Sequence, residues 1–146
     1  MIDYAKIFSD SNQRVLAKTT SKEEAFFDVF YDRFIASSPL VLEKFKNVDM
    51  GSQKRMLKQS LAYLLNLFVM KKIPDHLVSI AQRHDRDHAD IPPELYGLWL
   101  ECLVDTVKEF DPQFDDNVEL AWRLVCSQVI ALMTFVYKKS ETAAPA

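Results

Sequence analysis

Apolar residues recur three and four positions apart along most of the 146-residue chain, which is the period of an amphipathic α-helix. The clearest stretch covers residues 53–70, where the positions that repeat three and four residues apart are Met56, Leu57, Ser60, Leu61, Leu64, Leu67 and Phe68. Comparable patterns cover residues 2–16, 74–84, 93–110 and 116–136. An aromatic stripe before Pro39 marks another helix, formed by Phe26, Phe27, Phe30, Tyr31 and Phe34. The pattern predicts an all-α chain of about six long helices, with a short one after Pro39.

Turn and capping residues predict where these helices begin and end. Ser21-Lys-Glu-Glu24 and Asp116-Asn-Val-Glu119 each match a capping box, in which the first and fourth side chains satisfy free amides of a new helix. Pro74 fits the first turn of a helix, where its missing amide costs nothing. We therefore expect one globular domain over residues 1–138 and a polar tail over residues 139–146 that frays.

Composition supports the helical class. The chain contains only two glycines, Gly51 and Gly97, which removes the glycine-rich loops that cradle phosphates and most of the turn chemistry of a β-sandwich. A chain of this length builds one hydrophobic core and is too short to suggest two domains.

Net charge and cysteine spacing limit which partners and which cellular compartment we expect. The formal net charge is −3, and no sustained block of Lys and Arg is present, so nucleic acid is not an expected partner. Cys102 and Cys126 lie in apolar helical patterns without Cys-x-x-Cys spacing, which is typical of structural thiols in a reducing cytoplasm. No uncharged stretch approaches about 18 residues, so we expect neither a signal peptide nor a membrane span.

The residue with the most distinctive chemistry is His84, at the end of a short apolar helix and before the charged segment 85–90. An imidazole in this place is suited to be an axial metal ligand, although a lone histidine is more often a satisfied core or surface residue. A zinc pair with His88, four residues on, is a weaker alternative, because it needs a third ligand such as His76 or a carboxylate.

The order of several short motifs resembles that of bacterial globins over essentially the whole chain. It runs from Phe30-Tyr31, Pro39 and Phe45 through Gln53-Lys-Arg-Met56 and Ser60-Leu61 to His84, Ile91-Pro92, Tyr96 and Trp99. The arrangement is most similar to single-domain bacterial globins and to the globin domains of haem-based gas sensors. The resemblance implies a globin fold of six to eight helices around a pocket for haem b.

The resemblance also implies roles on the proximal side of the haem. His84 matches the histidine that binds the iron, and Phe45 matches the aromatic residue that packs flat on the haem. Further lining residues would be Leu77, Ile80, Ile91, Tyr96, Trp99, Val129 and Met133. His88 would lie near the haem edge or in solvent. Arg83, Arg86, His88 and Lys58 are candidate partners of the haem propionates, although a solvated charged face explains them almost as well.

On the distal side, Tyr31 matches the position that faces a bound gas, where its phenol would donate a hydrogen bond. Such a bond to a charged acceptor contributes roughly 1.5–3 kcal/mol. Anchoring the following helix on Met56 and Ser60 gives Gln59 the place where many globins carry a distal histidine. Tyr63, one turn further on, is a second candidate donor.

Three functions follow from this resemblance. The first is reversible binding of dioxygen, or of nitric oxide or carbon monoxide, for storage, scavenging or sensing. The second is a haem enzyme, either a nitric oxide dioxygenase or a peroxidase-like enzyme, which would need a separate reductase and could use Asp85 or Asp87 hydrogen-bonded to His84. The third is a haem-free sensory module, signalling through a partner or through a homodimer that uses residues such as Leu98 and Leu132. A binding protein is favoured over an enzyme.

Overall fold

The computed structural model describes residues 1–17 and 23–142, which form seven α-helices and no strand. Their bounds are Tyr4–Ala17 (α1), Glu23–Ala36 (α2), Pro39–Lys44 (α3), Met50–Met70 (α4), Asp75–Arg83 (α5), Glu94–Phe110 (α6) and Asp116–Thr142 (α7). The predicted all-α class is therefore confirmed. The capping box predicted at Ser21 lies outside the described residues, whereas α7 continues past residue 138 to Thr142.

Two helix starts differ from the sequence prediction because a different side chain caps them. The α4 helix begins at Met50 rather than Gln53, because the Asp49 carboxylate accepts a hydrogen bond from the Gly51 amide. At α7 the predicted cap, Asp116, is wrong: it is already helical, and the Asp115 carboxylate accepts from the Val118 amide at 2.8 Å. At α7 the neighbouring Asp115 and Asp116 make the boundary ambiguous in the sequence alone.

The longest helix, α7, organises the fold by packing against α1, α4, α5 and α6. At its N-terminal end the fully buried Trp122 contacts Phe8 of α1, with ring centroids 4.6 Å apart, and lies near Phe26 of α2. The sequence predicts no membrane span, yet α7 is long and apolar enough for one by length and composition alone, which is weak evidence by itself. The buried face of α7 lies against four other helices.

A buried polar network joins α1 to the corner between α6 and α7. The Trp122 indole donates to Ser11 Oγ at 2.9 Å, and the Ser11 hydroxyl donates to the Asp111 carboxylate at 2.6 Å. Arg14 adds two hydrogen bonds to the same carboxylate, at 2.7 and 2.9 Å. Burial raises the pKa of Asp111, but the hydrogen bonds from Arg14, Ser11 and the Gln113 amide outweigh it and hold this pKa below the ordinary 3.8.

We expect Asp111→Asn to lower the free energy of unfolding by about 2–4 kcal/mol, because it leaves the Arg14 guanidinium without its carboxylate in a partly buried site. Urea unfolding measures this. The matched control is Asp10→Asn, which breaks the exposed Lys6–Asp10 pair and should change stability by about 0.5 kcal/mol or less. Because the folded-state pKa of Asp111 is lowered, its contribution is complete above pH 3.8 and is lost as pH falls through that lowered value. Equal losses for the two variants would contradict the assigned role.

Candidate functional site

A largely apolar cavity opens between α2, α3 and α4 on one side and α5, α6 and α7 on the other. Its volume is about 840 Å³ when the open solvent at its mouth is included. The lining residues are Tyr31, Phe34, Val41, Lys44, Phe45, Gln53, Met56, Leu57, Ser60, Leu64, Leu77, Ile80, His84, Ile91, Leu95, Tyr96, Trp99, Val129, Ile130 and Met133.

Helical periodicity explains why these residues share one surface. On α4, the lining positions 53, 56, 57, 60 and 64 are three or four residues apart, so they form one stripe along the helix. Positions 77, 80 and 84 do the same on α5 and its C-cap, and positions 129, 130 and 133 do so on α7. Each wall is thus one face of an amphipathic helix.

The His84 imidazole reaches the cavity from the C-cap of α5, where its Nδ1 lies 2.7 Å from the Ile80 carbonyl oxygen. A carbonyl only accepts hydrogen bonds, so Nδ1 carries the proton and Nε2 carries the lone pair of the neutral ring. Burial lowers the pKa of His84 below its ordinary 6.5, with a further lowering from Arg83, and this outweighs the opposing effect of the Ile80 carbonyl. The ring is therefore a neutral, oriented nitrogen donor, as a metal-binding histidine requires.

The turn after His84 is closed by its own hydrogen bonds. The Ile91 amide donates to the His84 carbonyl at 3.1 Å, and the Asp90 amide donates to the Asp85 carbonyl at 2.9 Å. Asp90 adopts a left-handed conformation with φ of 52°, which aspartate tolerates better than most residues.

The end of α7 holds the same turn from outside. The Tyr137 hydroxyl donates to the Asp90 carboxylate at 2.7 Å, and the Arg86 amide donates to Ser140 Oγ at 3.2 Å. The segment between His84 and Ile91 is therefore braced both internally and against another helix.

Three polar side chains from α2 and α4 also line the cavity: Tyr31, Gln53 and Ser60. Tyr31 is only 2% exposed; burial raises the pKa of its phenol, while a hydrogen bond with the Gln53 side chain acts in the opposite direction. The phenol is therefore protonated at any physiological pH. Ser60 is also buried, but its hydroxyl already donates to the Met56 carbonyl at 2.7 Å.

The placement predicted for Gln59 and Tyr63 is wrong. Both side chains are exposed, Tyr63 by 36%, and neither lines the cavity. Tyr63 instead stacks on His76, with ring centroids 4.4 Å apart. Successive helix residues are rotated by about 100°, so the stripe through Gln53, Met56 and Ser60 turns Gln59 outwards.

His88 also lies away from the cavity. Its side chain is 59% exposed, and its Nδ1 lies 2.6 Å from the Asp85 carboxylate, which raises the pKa of His88. The other three cations proposed for propionates, Arg83, Arg86 and Lys58, are exposed and do not line the cavity either.

Of two alternative arrangements around His84, one is wrong and the other gains no support. Asp85 accepts hydrogen bonds from the Asp87 amide and from His88, so the partner of His84 Nδ1 is the Ile80 carbonyl and not a carboxylate. His84 and His88 do not share a helical face, because the helix ends at Arg83. Among the described residues, no three His, Cys, Asp or Glu side chains are grouped as a metal site, so a zinc pair gains no support.

The other predicted site residues lie together on the cavity wall. They are Tyr31, Phe45, Leu77, Ile80, His84, Ile91, Tyr96, Trp99, Val129 and Met133. Sequence reasoning missed Lys44 and the role of Gln53 as a lining residue. Gln53 could have been found, since it shares a helical face with Met56 and Ser60, whereas nothing in the sequence signals Lys44. Leu98 and Leu132, proposed for a dimer interface, are partly buried against the core.

The geometry agrees with the comparison to known structures. The chain is similar to a crystal structure of a protein from Pseudomonas aeruginosa PAO1 described as structurally highly homologous to human haemoglobin. The two share 35% sequence identity over 92% of this chain and 98% of the other, with a TM-score of 0.82. No protein-family model matches the chain, and no curated protein matches it. The chain belongs to the family of this haemoglobin-like protein, and its fold is the globin fold.

We expect the two histidines of this region to titrate on opposite sides of the ordinary histidine pKa of 6.5. An NMR titration of the ring protons should give a lower value for His84, because burial disfavours its charged form, and a higher one for His88, because Asp85 accepts its hydrogen bond. Asp85→Asn should return the pKa of His88 towards its ordinary value without moving that of His84. Coincident titration curves for the two histidines in the unmodified chain would contradict this.

Proposed function

We propose that the cavity binds haem b, that His84 would supply the protein ligand to its iron, and that the protein reversibly binds a diatomic gas, dioxygen foremost. One observation carries this proposal: a neutral imidazole with an oriented Nε2 lone pair lines a large apolar cavity. Imidazole nitrogen held by a carbonyl on its other nitrogen is a suitable ligand for iron.

The remaining wall fits the rest of the cofactor. A macrocycle with two carboxylate side chains needs apolar walls around its body and a cation where its carboxylates emerge. The lining is almost entirely apolar and aromatic, and Lys44 contributes a charge. The likeness to a haemoglobin-like protein over nearly the full length of both chains supports the same assignment.

When bound, haem would supply an iron atom that coordinates a diatomic gas and shifts electron density onto it. The Tyr31 hydroxyl would donate a hydrogen bond to this gas, because its phenol is buried and stays protonated. A Gln53 amide that donates to the phenol oxygen leaves the phenol proton free for this purpose. Hydrogen bonding of this kind favours dioxygen over the less polar carbon monoxide.

Gas binding is favoured over peroxidase-like turnover for a structural reason. Peroxidase-like chemistry is promoted when a carboxylate accepts the hydrogen bond of the proximal histidine, because it increases the electron donation of the ring. His84 donates to a neutral backbone carbonyl instead. We therefore propose a cytoplasmic gas-binding protein that stores, scavenges or senses its ligand.

We expect purified protein loaded with haem to show the intense haem absorption band, and His84→Ala to lose or greatly weaken it. The matched control is His88→Ala, which removes an exposed histidine four residues away and should leave the spectrum unchanged. A wild-type protein that stays colourless after haem is added would overturn the proposal. Equal haem retention by both variants would show that His84 is not the ligand.

We expect Tyr31→Phe to accelerate dioxygen dissociation by about 10–100-fold, the equivalent of roughly 1.5–3 kcal/mol for a hydrogen bond to a charged acceptor. Gln53→Leu should give a smaller acceleration, since it acts through the phenol. Tyr63→Phe and Gln59→Leu are the matched controls, because both side chains are exposed away from the cavity. Stopped-flow dissociation rates test all four variants. Acceleration in the controls rather than in Tyr31→Phe would mean that the distal pocket lies elsewhere.

A further inference from the structure

Lys44 is a charged residue in an otherwise uncharged cavity wall. Of the lining residues, only Lys44 carries a permanent charge. It is the last residue of α3, at the mouth of the cavity, and it is half-buried between the apolar Val41 and Phe45, which also line the wall. A lysine in such a place buries its aliphatic stem while its ammonium group reaches a polar partner.

Lys44 makes one weak hydrogen bond, to a residue across the mouth of the cavity. Its Nζ donates to the Ala89 carbonyl at 3.4 Å, at the long end of hydrogen-bond distances. Ala89 belongs to the braced turn between His84 and Ile91, so the lysine spans from α3 to that turn. No ion pair between Lys44 and a carboxylate is found in the described part of the chain, and the neighbouring Asp90 carboxylate already accepts from Tyr137.

An ammonium group that makes one long hydrogen bond to a neutral carbonyl is stabilised when a carboxylate replaces that carbonyl as the acceptor. A carboxylate adds the attraction between two opposite charges to the hydrogen bond, and a neutral carbonyl does not offer this. An apolar body inside the cavity that carries a carboxylate at the mouth would offer this exchange without exposing the cavity to water.

We propose that Lys44 determines which ligands the cavity accepts, by releasing the Ala89 carbonyl and binding a carboxylate of the ligand at the mouth. This rests on the proposed haem function and deepens it: the carboxylate is a haem propionate. The structure favours this residue over Arg83, Arg86, Lys58 and His88, since none of those side chains lines the cavity.

The test measures haem loss from the full-length loaded protein to an excess of a haem-scavenging apoprotein. Lys44→Met should lose haem about 5–20-fold faster than wild type, because one charge-assisted hydrogen bond is removed. Lys44→Arg should restore most of the retention, since it keeps the charge. Lys46→Met is the matched control: Lys46 is exposed, two residues away, and does not line the cavity, so its loss rate should equal that of wild type.

Haem dimethyl ester, in which both carboxylates are masked, separates charge recognition from packing. With the ester, wild type and Lys44→Met should lose the cofactor at the same rate. A Lys44→Met effect that persists with the ester would overturn the proposal by assigning the lysine to packing alone, as would equal rates for Lys44→Met and wild type with ordinary haem. Both results leave haem binding intact. Failure of wild type to take up haem would instead overturn the function on which the proposal rests.

Discussion

An open cavity at the centre of a small helical protein has to be supported by the packing around it. Six helices contribute lining residues, so the packing around the cavity must hold all six at fixed distances. In this chain the support is concentrated beside the N-terminal half of α7, where Trp122, Phe8 and Phe26 pack tightly and Asp111 ties α1 to the α6–α7 corner. The cavity lies further along α7, near Val129 and Met133. The tightly packed polar and aromatic cluster and the cavity thus occupy different parts of α7.

Polar groups are few in the cavity, and their surroundings decide what each can do. His84 is kept neutral by burial and oriented by one carbonyl, while Tyr31 is kept protonated by burial and contacted by Gln53. Ser60 is satisfied within its own helix. The two sides of the cavity therefore offer different chemistry, a lone pair on one side and a proton on the other. Both follow from ordinary helix periodicity, because each group occupies the inward stripe of its helix.

The sequence predicted the helices and many residues of the cavity wall, because apolar periodicity reports directly which face of a helix is buried. His84 could be predicted from its place at the end of α5, and Ile80 from its place one turn earlier. The register of α4 was harder, since an error of one residue rotates a side chain by about 100° and turns Gln59 and Tyr63 outwards. Lys44 could not be predicted as a lining residue, because its hydrogen-bond partner, the Ala89 carbonyl, lies 45 residues away in sequence. The predicted cap of α7 was wrong for a simpler reason. Asp115 and Asp116 are adjacent and carry the same side chain, so only the backbone conformation shows that Asp115 is the cap.

The brace that the last turns of α7 form on the segment after His84 makes these two distant parts of the chain thermodynamically linked. Tyr137 and Ser140 share their hydrogen bonds with Asp90 and the Arg86 amide, so any molecule that competes for those groups changes the freedom of the segment that carries His84. Linkage is reciprocal. If such a competitor changes the affinity of the cavity for its ligand by some factor, occupation of the cavity changes the affinity of the C-terminal end of α7 for the competitor by the same factor. The two molecules need not touch each other.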